Sequence, residues 1–167
     1  EIVKKVNKHK LNYCIMDFFF IFYLFTSVPV FETIDIILAT ISDHHVDLGI
    51  DVVVLRELLL LCVTDVQFSF DGQLYRQVDG VAMGSCLGPI FADIFVGYLE
   101  SKIPTAISNS CDLFVRYVDD CYAIMKPNSS IDVLLTALNN AHPSITYTCE
   151  VEQNNTKFSR CILCTQN

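Results

Sequence analysis

Two adjacent carboxylates, Asp119 and Asp120, stand where the apolar run Leu113 to Val118 gives way to Cys121 to Met125. That pattern places the pair near the tip of a hairpin. Like charges held this close repel, and without a counter-charge one of them would stay protonated. A pair of divalent cations removes the penalty. Two-metal phosphoryl transfer uses ions ~4 Å apart to activate the attacking oxygen and stabilise the leaving one. Asp is also a common residue of solvated turns. The dipeptide alone favours that bland reading, so its surroundings decide.

The elements that must position the pair are legible in the patterning. A chain of 167 residues suits one domain with a real core, and 52% hydrophobic against 18% charged residues excludes a disordered chain. Tyr13 to Phe31 is aromatic-rich and reads as a buried strand. Its uninterrupted apolar core, Phe18 to Phe25, is far short of the ~20 residues of a spanning helix. Phe31, Ile34, Leu38 and Ile41 recur at helical spacing, and a second helix is predicted from Val52 to Val63 with Val52, Leu55, Leu59 and Cys62 on one face. Asp71-Gly72 between alternating runs predicts a hairpin. A loop, Asp79 to Ser85, leads to a third helix with the stripe Leu87, Ile90, Phe91, Ile94, Phe95 and Tyr98, and with Asp93 and Glu100 outside it. After the Asp119-Asp120 hairpin comes a fourth helix with the stripe Ile131, Leu134, Leu135, Leu138 and Ala141, for which Ser129-x-x-Asp132 resembles a capping box. Ile145 to Val151 closes as a strand. The order β-α-α-ββ-α-ββ-α-β implies an α+β domain with helices on one face of an antiparallel sheet.

Charge and cysteine usage bound the function. A net charge of −8 with pI near 4.8 counts against an autonomous nucleic-acid binder, unless basic surfaces lie on other segments. The sequence starts at Glu1 without an initiator Met and stops abruptly after Cys164-Thr165-Gln166-Asn167, which reads as a piece cut at both ends. Eight cysteines scattered through apolar runs indicate free thiols and an intracellular (nuclear or cytoplasmic) setting. Cys161-x-x-Cys164 has the spacing of half a zinc site, with no second pair after it.

Taken together, these segments carry a resemblance. Phe114-Val115-Arg116-Tyr117-Val118-Asp119-Asp120 resembles the catalytic hairpin motif of reverse transcriptases. Gln77 through Phe95, with Met83-Gly84-Ser85 at its centre, resembles the glycine loop and helix that precede it, and Leu24 to Pro29 the segment after the first catalytic strand. His142-Pro143 with Ile145 to Glu150 resembles the segment that follows, and the flavour is that of Penelope-like retroelements. The resemblance implies a polymerase palm in an incomplete domain spanning residues 1–167, with fingers and thumb largely missing. It implies RNA-directed DNA synthesis with Mg²⁺ or Mn²⁺ (two ions), an RNA template, a DNA primer and deoxynucleoside triphosphates, and no membrane. Asp119 would be the principal metal ligand, assisted by Asp120. Met83, Gly84 and Ser85 would lie against the incoming nucleotide and template base, and Phe25 would be the steric gate under the sugar. Arg76 and Arg116 are open between phosphate contact and solvated strand positions.

One departure changes the expected activity. The family places a third carboxylate five residues before the gate, and that position is Phe20. Asp17 is a poor substitute, because three residues along a strand move a side chain ~10 Å and turn it to the other face. The expectation is therefore an impaired polymerase. The alternatives are a catalytically dead remnant that binds nucleic acid or protein, and a small membrane-associated protein anchored by Tyr13 to Phe31. Cys86, where the family favours proline, and Thr156 to Arg160 are lesser departures.

Overall fold

A computed structural model describes residues 16–150. In chain order its elements are β1 (Met16–Phe22), α1 (Leu24–Ser27), α2 (Val30–Asp43), α3 (Val52–Val63), β2 (Gln67–Phe70), β3 (Gln73–Arg76), α4 (Gly88–Lys102), α5 (Pro104–Ser110), β4 (Cys111–Tyr117), β5 (Asp120–Met125), α6 (Ile131–Asn139) and β6 (Thr146–Glu150). Four strands form one antiparallel sheet in the order β4-β5-β1-β6, and β2-β3 stand apart as a two-stranded hairpin.

Strand β1 shows why one face is covered and the other open. Asp17, Phe19 and Ile21 are buried, whereas Phe18 and Phe22 are exposed, as the two-residue period of a strand requires. The covered face joins Phe19, Ile21, Cys121, Ala123 and Tyr147 to Phe91, Phe95 and Leu99 of α4, Leu134 and Leu138 of α6, and Ile34 of α2 in a single core. The mixed α+β architecture with helices on one sheet face is thus present among the described residues.

Several elements differ from the sequence reading. The predicted strand through Tyr13 to Phe31 ends at Phe22: Tyr23 takes a left-handed φ of 51°, the chain makes one helical turn, and α2 begins after Pro29. Residues 13–15 lie outside the described residues, as do Val151, Thr156 to Arg160, Cys161 and Cys164. Phe31 leaves the α2 stripe for solvent, and Thr33 takes the buried place beside Ile34. Helix α3 is apolar almost all round, so Val52 and Cys62 stay exposed while Val63 is buried. The β2-β3 hairpin has the expected Asp71-Gly72 turn, with φ of 49° and 73°, yet both its faces are exposed because it does not join the main sheet. On α4, Ile90 is exposed, and Ala92, Val96 and Leu99 complete the buried stripe. The capping box does not form. Ser130 is the N-cap of α6 without a side-chain bond, and the Ser129 hydroxyl donates to the Lys126 carbonyl instead. Helix α5 was not anticipated; Pro104 opens it.

The aromatic run Tyr13 to Phe31 therefore divides between a strand and two helices, and among the described residues no helix is long and apolar enough to cross a membrane. Cys62, Cys86, Cys111 and Cys121 are free thiols.

Candidate functional site

Tyr117 pairs with Asp120 across a two-residue turn made of Val118 and Asp119. Val118 has φ of 58°, a left-handed value that suits glycine or asparagine in tight hairpins and is an outlier for a β-branched residue. The turn is pinned to the neighbouring strand by a 2.9 Å hydrogen bond from the Ile21 amide to the Asp119 carbonyl.

Register then decides who faces the carboxylates. Phe20 is the cross-strand partner of Asp120 on one side and of Thr148 on the other. Tyr117, Asp120, Phe20 and Thr148 therefore form one row across the open face of the sheet. A phenyl ring therefore lies directly beside Asp120. Asp17 pairs with Ala123, three positions away, and points into the covered face. It is 4% exposed, its Oδ2 has no hydrogen-bond partner among the described residues, and burial raises its pKa. It cannot serve the open face.

The glycine loop is fastened to the same end of the sheet. Helix α1 follows β1 directly, and the Val81 amide donates to the Phe25 carbonyl at 2.7 Å. Phe25 itself is half-buried against the core. Met83 is 71% exposed, and Gly84, at φ +94°, has open space where a Cβ would stand. Ser85 is already engaged, since its Oγ accepts from the Gly88 amide at 2.8 Å and caps the start of α4. The close approach within the chain is at Gly80, where a Cβ would meet the backbone of Phe25 and Thr26.

Arg76 takes the solvated strand position, whereas Arg116 follows neither sequence reading. Arg76 is exposed and pairs with Asp65 at 3.2 Å. Arg116 is neither solvated nor free for phosphate. Its side chain is 8% exposed, with Nε 2.7 Å from Glu100 and Nη1 2.9 Å from Asp93, both on α4. Burial alone would lower its pKa, but Glu100 and Asp93 outweigh it and hold the guanidinium above its usual range. Glu100, placed outside the helix stripe by sequence, is drawn inward by this pair. Beside the turn, burial pushes the Cys121 thiol up to about 12, which makes it an inert packing residue.

The donor set can be compared with the implied metals. Among the described residues no group of three or more His, Cys, Asp or Glu side chains is placed to hold an ion. Asp119 and Asp120 supply two carboxylates and Phe20 supplies none, so the residues present do not fit a two-ion centre.

No protein-family model matches the sequence, and no curated protein does. Among solved structures the chain is similar to apo telomerase from Candida tropicalis truncated from its C-terminal domain, with a TM-score of 0.59 and 16% sequence identity over 92% of this chain. The fold is reverse-transcriptase-like. The chain spans 34% of the length of that telomerase chain, and the likeness does not single out Penelope-like elements.

Proposed function

We propose that this chain is the palm part of a retroelement RNA-directed DNA polymerase, of the Penelope-like kind, whose catalysis is impaired at the first strand. The observation that carries the reading is the row Tyr117, Asp120, Phe20 on the open sheet face, at the end where α1 and the glycine loop are fastened. In this reading Asp119 and Asp120 attract Mg²⁺ or Mn²⁺ only loosely. Met83 and Gly84 border the nucleotide and template base, Phe25 lies under the sugar, and Ser85 shapes the loop through its bond to Gly88. Template RNA, primer DNA and deoxynucleoside triphosphates are the partners, and fingers and thumb belong to segments beyond this one.

The same fold without catalysis is the second reading, and Phe20 is the observation that favours it. Mn²⁺ titration and primer extension on the chain and its Phe20→Asp variant separate the two. The expected result is weak Mn²⁺ binding and background extension for the parent. Phe20→Asp should bind Mn²⁺ about tenfold tighter or better, roughly 1.4 kcal/mol, and lose the gain on Asp119→Asn. Extension by the parent that survives Asp119→Asn would sink the assignment of the carboxylates. Binding unchanged by Phe20→Asp would leave the non-catalytic reading.

A further inference from the structure

We infer that Arg116 is the positioning residue of the carboxylate hairpin, fixing the Val118-Asp119 turn against α4. The inference deepens the reading above and rests on it.

One guanidinium joins two elements. Besides its ion pairs with Glu100 and Asp93, Nη2 lies 3.3 Å from the Asp93 backbone carbonyl, and Nη1 donates to the Val118 carbonyl at 3.2 Å. Val118 is the residue whose backbone most needs support. A β-branched side chain in the left-handed region costs of order 1–3 kcal/mol and persists only where surrounding contacts over-determine it. Here those contacts are Arg116 on the covered side and the Ile21 amide on the strand side. Release of either lets the turn relax, and the carboxylates move with it.

The other end of the clamp matters equally. Helix α4 is the helix whose start Ser85 caps, so the guanidinium ties the carboxylate turn to the element that carries the glycine loop. Lysine could not do this. An ammonium is a point charge, whereas the planar fork of arginine meets two carboxylates and two carbonyls at once. A buried ion pair is weak support for a purely stabilising role, since apolar replacements of such pairs are often neutral.

Hydrogen exchange of the chain, read amide by amide, tests this without any metal. Arg116→Lys should lower protection of the Ile21 amide about tenfold while leaving Leu138 in α6 unchanged. Adding Val118→Gly, which accepts the left-handed φ without strain, should restore much of the Ile21 protection. A second arm titrates Mn²⁺ into Phe20→Asp, where Arg116→Lys should weaken binding about tenfold and Val118→Gly should recover it. Equal loss at Ile21 and Leu138 would reduce Arg116 to a general stabiliser and overturn the inference, as would no change at Ile21. A fall at Ile21 with no Mn²⁺ binding in any Phe20→Asp background would uphold the clamp and remove the metal reading instead.

Discussion

Gly80 stands at φ +72°, and a Cβ there would fall 2.4 Å from the Phe25 carbonyl oxygen and 2.5 Å from the Thr26 Cα. Both are backbone atoms in α1 and cannot rotate away. Gly80→Ala should therefore cost about 3 kcal/mol or more, combining a strained φ with a backbone clash. Gly84→Ala, strained in φ but facing open space, should cost only about 1 kcal/mol. Denaturant midpoints of the two variants check the contrast. Asp17 makes a different demand. Its folded pKa is raised, so the ionised form is penalised in the folded state. That penalty is absent below the unfolded value of 3.8, grows as pH rises through the interval up to the folded pKa, and is constant above it. Asp17→Asn should thus raise the stability at neutral pH by on the order of 1 kcal/mol, seen as a higher melting temperature. The gain should disappear below the unfolded pKa, and a gain that persists in acid would refute the burial account.

At the scale of elements, the β2-β3 hairpin is held by its own turn and its own rings. Phe68 stacks on Tyr75 at 5.7 Å, and Phe70 meets the same ring at 6.4 Å. An isolated two-stranded hairpin is marginal in water, so its opening should be local. Gly72→Ala, at φ +73° with no neighbouring atoms within 4 Å, should speed amide exchange in the hairpin while shifting global stability by less than about 1 kcal/mol. The contrary result, a drop shared by β1 and α4, would mean that the hairpin is part of the main cooperative unit. Helix α4 behaves oppositely. Phe95 is fully buried, and its ring meets the His142 imidazole edge-on at 5.1 Å. Phe95→Ala should cost about 3–5 kcal/mol, a large part of the stability of a domain this size.

For the molecule as a whole, the charge balance opposes a nucleic-acid role for this segment by itself. A net −8 repels phosphate, and Arg76 and Arg116 are each paired with acids. Binding of an RNA–DNA hybrid to the chain should therefore be weak and show a shallow salt slope, because few phosphates are neutralised. Fluorescence anisotropy over a salt series measures this. Tight binding with a steep slope would place a basic surface where none is apparent among the described residues.

Local patterning was enough to determine much of the scaffold and the candidate pair. Periodicity located α2, α3, α4 and α6, because burying an apolar stripe requires a helical repeat. Asp71-Gly72 located a turn, because few residues accept its dihedrals. By the resemblance, the count back from Phe25 reaches Phe20 rather than Asp17. The register sets Phe20 beside Asp120, and strand alternation turns Asp17 to the covered face. Tertiary structure alone decided the rest. It revealed the close backbone approach at Gly80, because the contacting backbone is 55 positions away in sequence. It assigned Ser85 to a helix cap, and Arg116 to a clamp between α4 and the turn. Each of these depends on which atoms meet across elements distant in the chain, and no local pattern of residue types encodes that.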